Sequence, residues 1–188
     1  MFAMEIILGI DPGSRVTGYG VIKTDSHVHS YIAGGVIAIE GYDLAQRMIQ
    51  IYEGLTDIVK RYQPSQGAIE QVFMHRNAGS ALKLGQARGV AIVAAALAGL
   101  TVAEYSPRQI KQAVVGYGAA DKLQIQQMVK RLLTLPTLPL PDEADALAVA
   151  ICHANSQGVV VTHSSYLRRS KQSHLMRGDQ EELIVSVE

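Results

Sequence analysis

Three apolar, β-rich runs at the N-terminus constrain the fold more than any other feature of the chain. Glu5 to Asp11, Thr17 to Thr24 and Val28 to Ile39 follow one another, separated by Gly13-Ser14 and by the polar Asp25-Ser26-His27. They read as three consecutive strands, a meander. The pattern then changes to helical spacing, with Leu44, Met48, Ile51, Leu55, Ile58 and Val59 recurring between Asp43 and Tyr62, and Gln63-Pro64 ends that run. QGAIEQVF (66–73) predicts a fourth strand, Asn77 to Gly99 a second helix and TVAEYS (101–106) a fifth strand. Ser106-Pro107 supplies an N-cap and a first-turn proline for a third helix. The spacing of Asp121 and Gln124 resembles a capping box with the cap changed to Asp, ahead of a helix over Lys122 to Leu135, and the proline-rich LPTLPLP (135–141) separates it from a last helix, Asp142 to Asn155. Three strands followed by alternating helices and strands predict an α/β fold, a mixed five-stranded sheet flanked by helices on both faces.

A chain of 188 residues, 48% of them hydrophobic, suits one compact domain, expected over residues 1–155, with residues 156–188 as a polar tail of mixed charge. The longest apolar or glycine stretch, Gly89 to Leu100, is shorter than the roughly 18 residues that suggest a membrane span. The N-terminus also lacks the basic segment and apolar core of a signal peptide. A cytoplasmic protein with no membrane partner is the resulting expectation. Cys152 is the lone cysteine, which excludes an internal disulfide and a cysteine-based zinc site. Charge sums to zero from 17 basic and 17 acidic side chains, but unevenly: residues 71–141 carry 8 basic and 2 acidic groups, whereas residues 142–155 carry none and 3. A basic middle flanked by acidic segments suits a polyanion with cations held nearby, and it also suits solvated helix faces.

The carboxylates narrow the choice. Asp11 closes the first strand and Glu70 lies in the fourth, each among apolar residues, and an isolated buried carboxylate is costly unless it has a partner or a cation. Asp142 and Asp145 share one face at the start of the last helix, where capping is the simpler use for either alone. If strands one and four are neighbours and the last helix packs across them, all four acids converge and their repulsion requires a divalent cation. Oxygen-only ligands suit Mg²⁺ or Mn²⁺, and two such ions roughly 4 Å apart can clamp the attacking and leaving oxygens of a phosphodiester. The turn DPGSRVTGYG alone also suits the first phosphate loop of actin-like ATPases, but the second phosphate motif and the adenosine loop of that group are not evident.

GIDPGSRVTGYGVI, AIEQVFMHRNAGSALKLGQARGVAI and DEADALAVAI, in this order and at this separation, closely resemble the RuvC family of bacterial crossover-junction endodeoxyribonucleases over residues 4–155. The resemblance implies a ribonuclease-H-like three-layer fold and a homodimer that makes paired symmetric nicks in four-way (Holliday) junction DNA during recombination and repair. It also implies cooperation with the RuvA–RuvB branch-migration complex. Carried over by motif, Asp11, Glu70, Asp142 and Asp145 are the catalytic, metal-binding acids, expected to hold two Mg²⁺ ions, with Mn²⁺ able to substitute. Hydrolysis would leave 5′-phosphate and 3′-hydroxyl ends.

Lys111 and Lys122 match lysines along the family's DNA path, and Phe73 matches its base-stacking aromatic. Arg76, Lys83 and Arg88 are further candidates for contact with DNA. Glu143 falls by spacing on another helix face and is expected to be a solvated bystander. Gly79, Gly85 and Gly89 together cost ~2–3 kcal/mol in a helix interior, which calls for close backbone approach to the sheet or to a twofold-related helix. The family resemblance favours the second. The glycines after Asp11 are expected to serve a tight turn and close approach of the next strand.

Overall fold

The computed structural model describes residues 4–25, 28–72 and 78–156. Its elements run β1 (Glu5–Asp11), β2 (Val16–Asp25), β3 (Val28–Ala38), α1 (Leu44–Tyr62), β4 (Gln66–Glu70), α2 (Ala78–Leu97), β5 (Thr101–Tyr105), α3 (Pro107–Val115), α4 (Lys122–Leu132) and α5 (141–156). One sheet has the order β3-β2-β1-β4-β5. The meander is antiparallel, whereas β4 runs parallel to β1 and β5 parallel to β4. Strands one and four are therefore neighbours, the condition on which convergence of the acids depends.

Local chemistry explains most boundaries. Asp43 caps α1 by accepting from the Gln46 N–H, and reciprocal capping boxes open α3 at Ser106 with Gln109 and α4 at Asp121 with Gln124. Two expected ends move inward. β4 stops at Glu70 instead of continuing to Phe73, after one last bond from the Gln71 N–H to the Tyr105 carbonyl. α4 stops at Leu132, before the expected Leu135, because Thr134 takes a left-handed conformation and the Leu135 N–H folds back onto the Lys130 carbonyl.

Strand alternation sorts the side chains onto two faces. Leu8, Ile10, Val21 and Ile69 face one core with α1 and α2, while Ile7, Ile22 and Ala68 face a second with α3, α4 and α5. Asp11 and Glu70, two residues beyond Gly9 and Ala68, share the α5 side. That helix is buried almost all round, with Ala144 and every residue from Ala146 to Cys152 inaccessible or nearly so.

Glycines set how closely α5 approaches. A Cβ on Gly9 would lie 2.2 Å from the Ala146 carbonyl oxygen, and one on Gly18 would lie 2.1 Å from that of Asp142. Gly20 faces Leu147 in the same way. The close approach thus serves the last helix and not, as expected, the next strand; the small residues Ala146 and Ala150 complete the contact. Only Gly13 serves the turn itself, where a Cβ would meet the Val16 carbonyl oxygen at 2.0 Å.

Polar pins hold the far end of α5. In the tautomer that satisfies both partners, His153 accepts from the Tyr105 hydroxyl at Nδ1 (2.8 Å) and donates from Nε2 to Gln66 Oε1 (2.5 Å). Burial lowers its pKa, favouring this neutral ring. His29 reaches across to Asn155 Oδ1 at 3.0 Å and bonds Thr24 through its other nitrogen.

Candidate active site

Asp11 and Glu70 end adjacent parallel strands, and α5 brings Asp145 over them. The three carboxylates line one cleft of about 250 Å³ together with Pro107, Ile110, Lys111, Lys122 and Ile125. Asp142 does not line it, although its charge acts on both Asp11 and Asp145. Three of the four expected acids therefore meet, with the fourth one turn away on the same helix. Among the described residues no three His, Cys, Asp or Glu side chains stand close enough together to form a ready-made metal centre.

Capping chemistry places the two lysines. Lys111, in the helix opened by Ser106, donates from Nζ to the Ala120 carbonyl at 2.7 Å. Lys122, the first residue of the helix capped by Asp121, pairs with Asp145 Oδ2 at 3.5 Å while its side chain stays 75% exposed. Pro107, Ile110 and Ile125 give the cleft an apolar wall that no motif announced. A smaller cleft of about 160 Å³ shares Asp11 and Glu70 with Pro12, Gln71, Val72, Leu84 and Pro107. Phe73 and Arg76 lie outside the described residues.

The rest of the candidates separate. Lys83 is exposed on α2, and Arg88 is ion-paired with Glu104. Glu104 alternates with Tyr105 on β5, so this pair lies on the opposite sheet face from the acids. Glu143 is not the solvated bystander expected. Its Oε2 accepts from the Leu140 N–H and its Oε1 from the Tyr31 hydroxyl, both at 3.3 Å. Its capping function was visible only as a Glu three residues after Leu140; the β3 contact had no sequence signal.

Crowded negative charge dominates the cleft. Asp11 is pushed up to about 8, by burial first and then by Glu70, Asp145 and Asp142. Glu70 is also raised, chiefly by burial, while its hydrogen bond with Asp11 and the two lysines pull the other way. Each of the two carboxyls therefore resists ionising while the other is charged. Asp145 is raised by burial against the opposing pull of Lys122. Such a cluster favours either protons or cations over free carboxylates.

The model of the family "Crossover junction endodeoxyribonuclease RuvC" matches residues 7–153. A protein of that name from Tolumonas auensis is 58% identical over 158 residues, covering 84% of this chain and 91% of the relative. Another from Shewanella frigidimarina is 61% identical over 150 residues, covering 80% and 87%. Among solved structures, T. thermophilus RuvC in complex with Holliday junction substrate superposes with a TM-score of 0.74 at 35% identity, covering 80% of this chain and 93% of that one. The yeast mitochondrial Holliday junction resolvase Ydc2, at 13% identity and a TM-score of 0.59 over 87% and 85% of the two chains, shares the fold. The architecture is the ribonuclease-H-like three-layer fold. With the family model spanning most of the chain and relatives near 60% identity, this chain belongs to the RuvC family of crossover junction endodeoxyribonucleases.

Proposed function

We propose that this endonuclease resolves four-way (Holliday) DNA junctions by paired symmetric nicks, as a homodimer acting in recombination and repair. The meeting of Asp11, Glu70 and Asp145 with Lys111 and Lys122 in one cleft carries this reading. A divalent cation fits these residues: the donors are all carboxylate oxygens, and the burial and mutual repulsion that raise Asp11 are both offset when positive charge enters. Asp11, Glu70, Asp142 and Asp145 would hold it, as Mg²⁺ or Mn²⁺, two per site. When bound, the metal supplies Lewis-acid polarisation of the scissile phosphate and a more acidic water.

The chain's own groups orient the reaction. β1 and β4 hold Asp11 and Glu70 on rigid backbone, α5 sets Asp145 opposite them, and Lys111 and Lys122 neutralise phosphate charge. In the overall hydrolysis a water oxygen bonds to phosphorus and the bond to O3′ breaks, leaving 5′-phosphate and 3′-hydroxyl ends. Phe73, by its match to the family motif, stacks on a base at the junction, while Arg76, Lys83 and Arg88 are secondary candidates; the ion pair of Arg88 ranks it last. Incubation with a synthetic mobile junction and Mg²⁺ tests the whole reading. Paired nicks that a ligase seals are expected, and their absence with a folded dimer would overturn it.

A dimer face is available on α2. By length and composition this helix is apolar enough to cross a membrane, but Ala87, Ala91, Ala94 and Ala95 pack into the core and Lys83 and Arg88 interrupt the apolar sequence. Its outer side leaves Leu82, Val93 and Leu97 at 67%, 52% and 72% exposure, with nothing within 4 Å of where a Cβ would stand on Gly85 or Gly89. Those two glycines therefore do not serve approach to the sheet. An apolar groove formed with Met48, Ile49 and Tyr52 of α1 extends the patch. Isologous packing of two such faces would set two cleavage sites in symmetry. Val93→Glu is expected to leave the monomer folded, shift light-scattering mass from dimer to monomer, and replace paired nicks by single ones. Family membership also supports the RuvA–RuvB complex as a partner and the cytoplasm as the location.

A further inference from the structure

Small residues facing one another fix how near α5 lies to the sheet, and Leu147, Val149 and Ile151 seat its middle in the core. Its catalytic end is held differently. The Glu143 carboxylate spans the Leu140 N–H, at the helix cap, and the Tyr31 hydroxyl on β3. β3 makes room for it at Gly34, where a Cβ would lie 2.6 Å from Glu143 Oε1 and 2.9 Å from its Cγ. Asp142 and Asp145 flank this residue, so turning α5 to release Glu143 from β3 would carry both acids away from their present orientation.

We infer that Glu143 and Tyr31 are positioning residues, pinning the first turn of α5 to β3 so that Asp142 and Asp145 are held toward Asp11. This role rests on the carboxylate cluster being the metal site proposed above. It predicts that the pin's hydrogen-bonding shape matters and the charge of Glu143 does not. Glu143→Gln can keep both contacts, its amide oxygen accepting from Leu140 and its amide NH₂ donating to the Tyr31 oxygen. Glu143→Ala loses both, and Tyr31→Phe loses one.

The test measures Mn²⁺ binding to the purified full chain without DNA, by calorimetry and by Mn²⁺ paramagnetic resonance, beside the Mg²⁺ dependence of junction cleavage. Glu143→Ala and Tyr31→Phe are expected to weaken Mn²⁺ binding and raise the half-maximal Mg²⁺ concentration roughly tenfold, as loss of groups that orient metal ligands generally does. Glu143→Gln should restore both the metal affinity and the Mg²⁺ dependence. A Glu143→Gln chain as weak as Glu143→Ala overturns the inference, because charge would then be the operative property. Equal Mn²⁺ binding by wild type and both truncations overturns it as well. A wild type that binds no Mn²⁺ overturns the metal reading and this inference together. If Glu143→Ala fails to fold, Tyr31→Phe, which removes only a hydroxyl from an exposed side chain, decides the same question.

Discussion

Asp11→Asn is expected to lower junction cleavage by at least about 10³-fold, a loss of several kcal/mol of transition-state stabilisation, while making the metal-free protein more stable. Both effects follow from one carboxylate. In the folded chain Asp11 ionises only at about 8, against 3.8 for an ordinary aspartate, because burial and three neighbouring acids oppose its charge. Between those values the native state binds more protons than the unfolded chain, so the Asp11 contribution to stability falls as pH rises and is fully unfavourable above about 8. Asparagine cannot ionise and escapes that penalty. With about 1.4 kcal/mol per pKa unit, discounted for water reaching the cleft and for the nearby lysines, the variant should gain about 2–3 kcal/mol at alkaline pH in EDTA. In a chain of this size that raises the melting temperature by roughly 5–10 °C. The gap should close as pH falls toward 4 and narrow in Mg²⁺, since binding at the proposed site would stabilise the wild type. Junction affinity without metal should change less than about threefold, since in the proposed function it is the lysines, and not Asp11, that neutralise phosphates. A variant that still cuts, or that melts below wild type in EDTA at alkaline pH, would contradict this account.

The sheet and the placement of Asp11 and Glu70 were legible because both depend on short-range patterns. Period-two alternation puts Asp11 on the same face as Ile7 and Gly9, and a capping serine or aspartate marks where α3 and α4 begin. Asp142 and Asp145 were legible as a pair at spacing i, i+3, but their distance from Asp11 was not. That distance is set by Gly9, Gly18 and Gly20 lying under a helix more than a hundred residues later, and a glycine announces space without saying what fills it. For the same reason the sequence suggests strand approach for the glycines after Asp11, where Gly18 and Gly20 instead seat the last helix. Glu143 illustrates a second limit: helical periodicity says which face a residue occupies, but not that β3 meets that face with Tyr31 and with Gly34, whose missing Cβ leaves room for the carboxylate. Arg88 illustrates a third. Its motif suggested phosphate, whereas its partner Glu104 lies on a strand whose register only the folded sheet supplies.

Gly18→Ala should therefore damage a site that it does not touch. The added Cβ would stand 2.1 Å from the Asp142 carbonyl oxygen and 2.8 Å from its carbonyl carbon, both backbone atoms of the turn that carries the acids. β2 cannot yield locally, because Gly18 pairs with Asp11 on one side and Val36 on the other. The helix end must lift, at a cost of about 2–3 kcal/mol for overpacking, seen as a lower urea midpoint with an unchanged slope. Lifting it moves Asp142 and Asp145 relative to Asp11, and displacement on the scale of an ångström is expected to cost roughly 10²-fold in cleavage under conditions where the chain is fully folded. Gly85→Ala supplies the contrast: with open space at its Cβ, it should add about 0.5–1 kcal/mol of helix stability and leave the active site in place, weakening only self-association. Equal loss of cleavage by monomeric forms of the two variants would mean that general helix perturbation, and not the seating of α5 on its glycines, governs the carboxylate geometry.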